Sequence, residues 1–196
     1  MNVYDFDGTI YNGETSTDFF FFCLKRYPKV KRYIPKILFY GLGYLLKIVD
    51  RTKFKTKFYT FLKAVRNVDY AVERFWKRQV EDGKIFNWYM EKKQPTDVVI
   101  SASPEFMLKP IAKTLGFARL MGTKIDKHTG YLYSANCHGE EKVRRFRELY
   151  PEDKIEEFYS DMYSDTPLAK LADRAYLVKG ETLKPWSQKK LNETDE

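Results

Sequence analysis

The chain has 196 residues and a mass of 23.4 kDa, with 35 Lys and Arg against 27 Asp and Glu and a net charge of +8. Hydrophobic residues make up 43% of it and aromatic residues 17%, enough for a real core and too many for intrinsic disorder. Two cysteines, Cys23 and Cys137, exclude a disulfide scaffold or a zinc knuckle and point to a reducing cytoplasm.

No secretory signal is expected, because Asp5 and Asp7 interrupt the first residues before an apolar region can form. Residues 1–5 read as a short strand running into Asp5-Phe6-Asp7-Gly8-Thr9, two carboxylates followed by a turn residue. From 15 to 90 the pattern becomes helical, with breaks expected near Pro28, Pro35, Gly41 and Gly43. The most apolar stretches, 19–24 and 37–49, fall short of the roughly 20 residues that a membrane span requires.

The β-branched run 97–101 reads as a strand, and Ser103-Pro104 as the N-cap and first position of a helix reaching Leu115. Extended pieces at 118–125 and 130–134 flank a turn and are expected to pair. A helix over 140–150, a strand over 155–161, a helix over 165–172 and a last strand over 175–179 follow, with a loosely held polar tail from Glu181. Strands alternating with helices predict an α/β fold, a doubly wound, mainly parallel sheet with an inserted all-helical cap. The expected division is a core of 1–14 and 91–196 and a cap of 15–90.

Carboxylate-bearing loops follow predicted strands, where an open parallel sheet binds ligands. Asp5 and Asp7 leave the first strand, and Asp161 and Asp165 follow a later one. Converging carboxylates repel unless a cation lies among them, and hard oxygen ligands favour Mg²⁺. Asp-x-Asp-Gly by itself also fits a turn or a piece of a calcium loop, but no acidic residue follows at the spacing such a loop needs. Ser101, at a strand end, and Lys142, near a helix start, are suited to gripping the non-transferring oxygens of a phosphoryl group. Taken singly, Lys142 also reads as a solvated helix residue, Ser101 as a turn cap and Asp165 as a helix opener. His128 and His138 lack metal-ligand spacing, and neither they nor Cys137 receive a role.

In order, Asp5-Phe6-Asp7-Gly8-Thr9, the run closed by Ser101, Lys142, and Ser160-Asp161 with Asp165 resemble the four motifs of the haloacid dehalogenase (HAD) superfamily. The helical block directly after the first motif resembles the C1-capped, phosphoserine-phosphatase-like IB group. Ser101-Ala102-Ser103-Pro104-Glu105 and the stretch from Asn136 to Lys142 are similar to that group as well. The resemblance implies a Mg²⁺-dependent phosphatase acting on a phosphate monoester, expected to be a small phosphorylated metabolite, with Asp5 as nucleophile forming an aspartyl-phosphate. It implies Asp7 as general acid and base, and Ser101 and Lys142 as phosphoryl clamps. The metal would rest on the Asp5 carboxylate, the Asp7 main-chain carbonyl and Asp161, with Asp165 supporting that shell. The second aspartate, absent from dehalogenases of the superfamily, favours phosphoryl transfer over carbon-halogen cleavage. Glu14 stands nine positions after Asp5, where the resemblance places a substrate-pocket glutamate; the alternative is an exposed loop acid.

The charge is concentrated in the insertion. Residues 25–63 hold twelve basic residues and one acidic residue, a net +11, so the rest of the chain is slightly acidic. Aromatics interleave with these lysines. That mixture fits cap helices turning aromatics inward, and it also fits peripheral contact with an anionic membrane at its inner face. No nucleic-acid motif accompanies the charge. A lipid-phosphate phosphatase, a phosphotransferase and a non-catalytic binding module remain the alternatives, and the oligomeric state is left open.

Overall fold

The computed structural model describes residues 1–192. Its centre is a six-stranded sheet in the order β3-β2-β1-β4-β5-β6. The strands are β1 (Asn2–Tyr4), β2 (Val98–Pro104), β3 (Arg119–Thr123), β4 (Ile155–Ser160), β5 (Ala172–Lys179) and β6 (Thr182–Pro185). Strands β1 to β5 are parallel and β6 runs antiparallel to β5. The mainly parallel, doubly wound fold is as expected.

Helices α1 (Thr15–Arg26), α2 (Ile34–Leu45), α3 (Arg51–Phe58), α4 (Val68–Glu81) and α5 (Asn87–Lys92) all lie between β1 and β2 in the chain. Helix α6 (Glu105–Leu115) links β2 to β3, and α7 (Glu140–Leu149) links β3 to β4. Helix α8 (Thr166–Ala169) follows β4, and α9 (Gln188–Asn192) follows β6.

Parallel strands covered on both faces need apolar residues at successive positions, and alternate ones enter different cores. Val3, Val98, Ile100 and Phe158 enter one core with Phe146 of α7, Leu168 of α8 and Trp186. Tyr4, Val99 and Tyr159 enter the other with Met107, Leu108 and Ile111 of α6 and the inserted helices. The second core is aromatic: Tyr4 stacks on Tyr159 with centroids 4.8 Å apart, and Trp76 of α4 meets Phe6 edge to face at 5.5 Å. Helix α4 illustrates the sequence logic. Asn67 caps it by accepting from the Tyr70 amide, and the spacing of Val68, Ala71, Val72, Phe75 and Trp76 aligns one buried face. Helix α5 crosses the expected cap boundary at Met90, and its Tyr89 packs edge to face on Tyr4.

Several local expectations are corrected. Pro28 opens a 3-10 segment (Pro28–Tyr33), whereas Pro35 sits in the first turn of α2, where its missing N–H costs nothing. Gly41 and Gly43 lie inside α2 and do not end it. Ser103 and Pro104 belong to β2, not to the first turn of a helix, and α6 begins at Glu105. The pairing of 118–125 with 130–134 shrinks to a bridge between Ile125 and Leu132. The helix expected over 165–172 is only α8, and Ala172 already belongs to β5. The polar tail from Glu181 is ordered as β6 and α9 through Asn192, because β5 offers it an edge and Trp186 anchors it in the core; residues 193–196 lie outside the described residues. Both cysteines are free and buried.

Asp97, just before β2, is fully buried; its Oδ2 accepts from the Gln94 amide at 2.8 Å and its Oδ1 has no partner. Burial pushes this carboxyl up to about 6, against an ordinary value of 3.8. A carboxyl raised in the folded state is favoured while protonated, so its contribution is lost as pH rises from about 4 through 6. Asp97→Asn is therefore expected to match the parent at pH 4 and to exceed it by about 1 to 2 kcal/mol at pH 7, as read from denaturant unfolding at the two pH values.

Candidate active site

The strand order reverses at β1: β2 and β3 lie on one side, β4 and β5 on the other. In an open α/β sheet the crevice at such a reversal, outside the carboxyl ends of the strands, is where ligands bind. A cavity of about 270 Å³ opens there. The structure brings all seven sequence-predicted residues, Asp5, Asp7, Glu14, Ser101, Lys142, Asp161 and Asp165, to its wall.

Asp5 follows β1 directly, and its main-chain amide donates to the Tyr159 carbonyl of β4 at 2.8 Å, so backbone pairing sets its position. Lys142, from the first turn of α7, is 2% exposed. Its Nζ donates to Asp5 Oδ1 at 2.8 Å and to Asp165 Oδ2 at 2.6 Å. Ser160 Oγ also donates to Asp165 Oδ2, at 2.8 Å. Burial by itself would lower the ammonium, but Asp165 and Asp5 hold it above its ordinary value. Burial raises the Asp5 carboxyl above its ordinary value, and the Lys142 ammonium opposes only part of that rise.

Asp7 is held by Thr15, whose amide donates to Oδ1 at 2.9 Å and whose hydroxyl donates to the same oxygen; Ser103 Oγ donates to Oδ2. Burial raises this carboxyl, opposed by the Ser103 and Thr15 hydrogen bonds. Ser101 is buried, and its Oγ accepts from the Ser103 amide at 3.0 Å. Gly8 has φ +69°, and a Cβ there would run into the Asp161 carboxylate, so only glycine lets the first loop pass under the last. The Asp161 amide donates to Thr9 Oγ1 at 3.0 Å, which joins the same two loops.

Asp161 Oδ1 is buried without a hydrogen-bond partner, and burial pushes the carboxyl up to about 6. A buried carboxylate oxygen with no donor, close to other acids, suits a hard cation. Among the described residues no three carboxylate, thiolate or imidazole side chains form a metal-binding cluster. A metal here would rest on Asp5 and Asp161 supplemented by main-chain oxygen, a set that fits Mg²⁺. Asp165 Oδ2 is shared by Lys142 and Ser160, so that oxygen is already engaged by protein donors.

Glu14 is both cavity-lining and solvent-exposed at the cavity rim. Desolvation, followed by the charges of Asp7, Asp161 and Asp18, pushes it up to about 7. Across the cavity, α3 contributes Arg51, Phe54 and Lys55, with Tyr44 and Tyr59 beside them. Lys55 Nζ donates to the Ala102 carbonyl at 2.9 Å and to Asn136 Oδ1 at 2.6 Å. Burial and neighbouring Arg51 lower it to about 8. His138 also lines the cavity, where burial and Arg51 lower its imidazole below the ordinary value.

Thr15, Ser103, Lys55 and Arg51 were not singled out from the sequence. By its own chemistry Ser103 reads as a helix cap inside the Ser101–Glu105 stretch, and Lys55 contacts residues 47 and 81 positions away, which no local pattern encodes. No described helix is long and apolar enough to cross a membrane.

Fold and site together define a doubly wound α/β protein whose carboxylates gather on strand-end loops around the buried Lys142 of α7. The chain belongs to the haloacid dehalogenase-like hydrolases, whose family model matches residues 3–170. A probable phosphatase of Mycobacterium tuberculosis (strain H37Rv) is 36% identical over 90 residues, covering 41% of this chain and 31% of that protein. The match thus spans about a third of the length of the curated relatives. A protein of unknown function from Bordetella pertussis Tohama I has a similar fold, with a TM-score of 0.69 at 18% identity, covering 89% of this chain and 87% of that one. So has a probable phosphoserine phosphatase from Vibrio cholerae, with a TM-score of 0.60 at 11% identity, covering 89% of this chain and 55% of that one.

Replacing Lys142 by Met leaves two buried carboxylates without their ammonium. Lys142→Met is expected to destabilise the fold by about 3 to 5 kcal/mol at neutral pH. Adding Asp165→Asn should recover part of that loss, as measured by chemical denaturation of both variants.

Proposed function

We propose that the chain is a Mg²⁺-dependent phosphatase that hydrolyses a phosphate monoester through an aspartyl-phosphate on Asp5. The observation that carries this reading is the Asp5 carboxylate at the switch point, gripped on one oxygen by buried Lys142 and sharing its cavity with Asp7 and Ser101. The probable phosphatase of M. tuberculosis supports it from the sequence side.

An Asp5 oxygen attacks phosphorus, forming the Asp5–phosphorus bond as the bond to the leaving oxygen breaks. Asp7, raised by burial and oriented by Thr15 and Ser103, gives its proton to the departing alkoxide. The resulting Asp7 carboxylate then takes a proton from water as that water attacks phosphorus, releasing inorganic phosphate and restoring Asp5. Ser101 and Lys142 hold the non-transferring oxygens and oppose their growing charge. Asp5, the Asp7 main-chain carbonyl and Asp161 would hold Mg²⁺, which neutralises the repulsion between carboxylate and phosphate. Asp165 positions Lys142 through the shared oxygen.

The leaving group would meet Arg51, Tyr44, Phe54 and the rim acid Glu14. A small phosphorylated molecule with a further polar or anionic group beside an apolar surface fits that wall.

Asp5→Asn should lower Mg²⁺-dependent hydrolysis of an aryl phosphate by about a thousandfold or more; retained turnover excludes it as nucleophile. Asp7→Asn should cost about a hundredfold or more on alkyl phosphates and much less on an aryl phosphate, whose leaving group needs no proton. Initial rates on the two substrates make that comparison.

A further inference from the structure

Helix α2 departs from the packing of its neighbours. Helices α1 and α4 turn aromatic residues inward, burying Phe19, Phe20, Phe22, Phe75 and Trp76. Helix α2 has no buried residue at all. Its half-buried side carries Ile37, which packs toward the core, and Tyr40 and Tyr44, which meet α3: Lys57 lies over the Tyr40 ring and Tyr44 stacks on Phe54 at 5.4 Å. The opposite side carries Leu38, Phe39, Leu42 and Leu45 at helical spacing, 65%, 72%, 58% and 77% exposed, and Leu46 and Ile48 extend it at 60% and 77%. A contiguous apolar stripe of this kind marks an interaction surface, not chance exposure.

The surroundings of the stripe select its partner. Lys36 and Lys47 stand at its two ends, exposed, with Lys29, Lys31 and Arg32 before it and Lys53 beyond the turn. Asp50 is the single acid between 25 and 63, and its carboxylate is occupied as the cap of α3, accepting from the Lys53 amide at 2.8 Å. A second copy of the chain brought against this face would set like charges against one another. An anionic bilayer instead accepts the apolar side chains at its headgroup boundary and the ammonium groups among its phosphates. At 12 residues, α2 is about 18 Å long, too short to cross about 30 Å of hydrocarbon and suited to lying in the interface plane.

We propose that the α2–α3 hairpin is a docking element for an anionic membrane surface, inserting the outer stripe of α2. The same hairpin walls the catalytic cavity through Tyr44, Phe54 and Lys55, so docking brings the cavity mouth to the level of the headgroups. The inference does not depend on the phosphatase reading, because binding is measured without turnover.

The test is sedimentation of the full chain with vesicles of phosphatidylcholine alone or with about one-third phosphatidylglycerol. Binding is expected on the anionic vesicles, about tenfold or more weaker on the neutral ones, and weakened by salt. The variant Leu42→Gln/Leu45→Gln/Leu46→Gln/Ile48→Gln should keep the circular dichroism spectrum and the aryl-phosphate activity while losing binding by about tenfold or more. Lys36→Gln/Lys53→Gln, which leaves the stripe intact, should reduce both binding and its salt dependence. Asp5→Asn should bind like the parent, which separates failure of docking from failure of the catalytic reading. Absence of parent binding to anionic vesicles at low salt overturns the proposal. So does equal binding by the stripe variant, or a parent dimer in light scattering that the stripe variant dissolves.

Discussion

The catalytic end of the molecule depends on one buried cation. Lys142 is almost wholly removed from water, which is tolerable only because Asp5 and Asp165 meet its ammonium at 2.8 and 2.6 Å. These three residues come from the loop after β1, the first turn of α7 and the loop after β4. Their contact therefore fixes where both neighbouring strands end relative to α7. Charge balance in the cavity remains incomplete. Asp7 and Asp161 add two further carboxyls, and Asp161 keeps an unpartnered buried oxygen. A site built this way has place for more positive charge, and Arg51 and Lys55 stand at its other side.

The inserted helices serve two surfaces. Their inward aromatics continue the core on one face of the sheet, so Phe6, Tyr11, Phe75 and Trp76 form one packed cluster across the first loop and the insertion. That continuity braces the loop carrying Asp5 and Asp7. Helix α3 then brings basic and aromatic side chains back over the cavity, and α2 presents apolar side chains outward. Inward packing of the aromatics lies on α1 and α4, whereas α2 leaves an apolar stripe outward.

The chemistry-bearing loops were legible because each is a short local word at a strand end. Asp5 and Asp7, Ser101, and Asp161 and Asp165 are placed by strand-then-turn patterns that need no knowledge of distant chain. The partners that orient them were not legible in the same way. Ser103 has a capping residue's chemistry, yet β2 continues past it and turns its hydroxyl to Asp7. Thr15 looked like an ordinary helix start, and its hydrogen bonds to Asp7 arise only because the first loop folds back on α1. The polar segment 182–185 carries little strand pattern of its own, and becomes β6 because β5 exposes an edge to pair with.

By itself, the sequence determined the alternation of strands and helices, the acidic loops, the position of the helical insertion and its +11 charge. These follow from periodicity, turn chemistry and composition, which act over a few residues. Only tertiary structure decided that Lys142 is a buried ion-pair centre and not a solvated helix residue. It likewise decided that Lys55 reaches Ala102 and Asn136, and that the apolar side of α2 faces outward. Burial, charge pairing and the facing of a helix depend on which distant surfaces meet, and that is settled when the sheet, its helices and the insertion pack together.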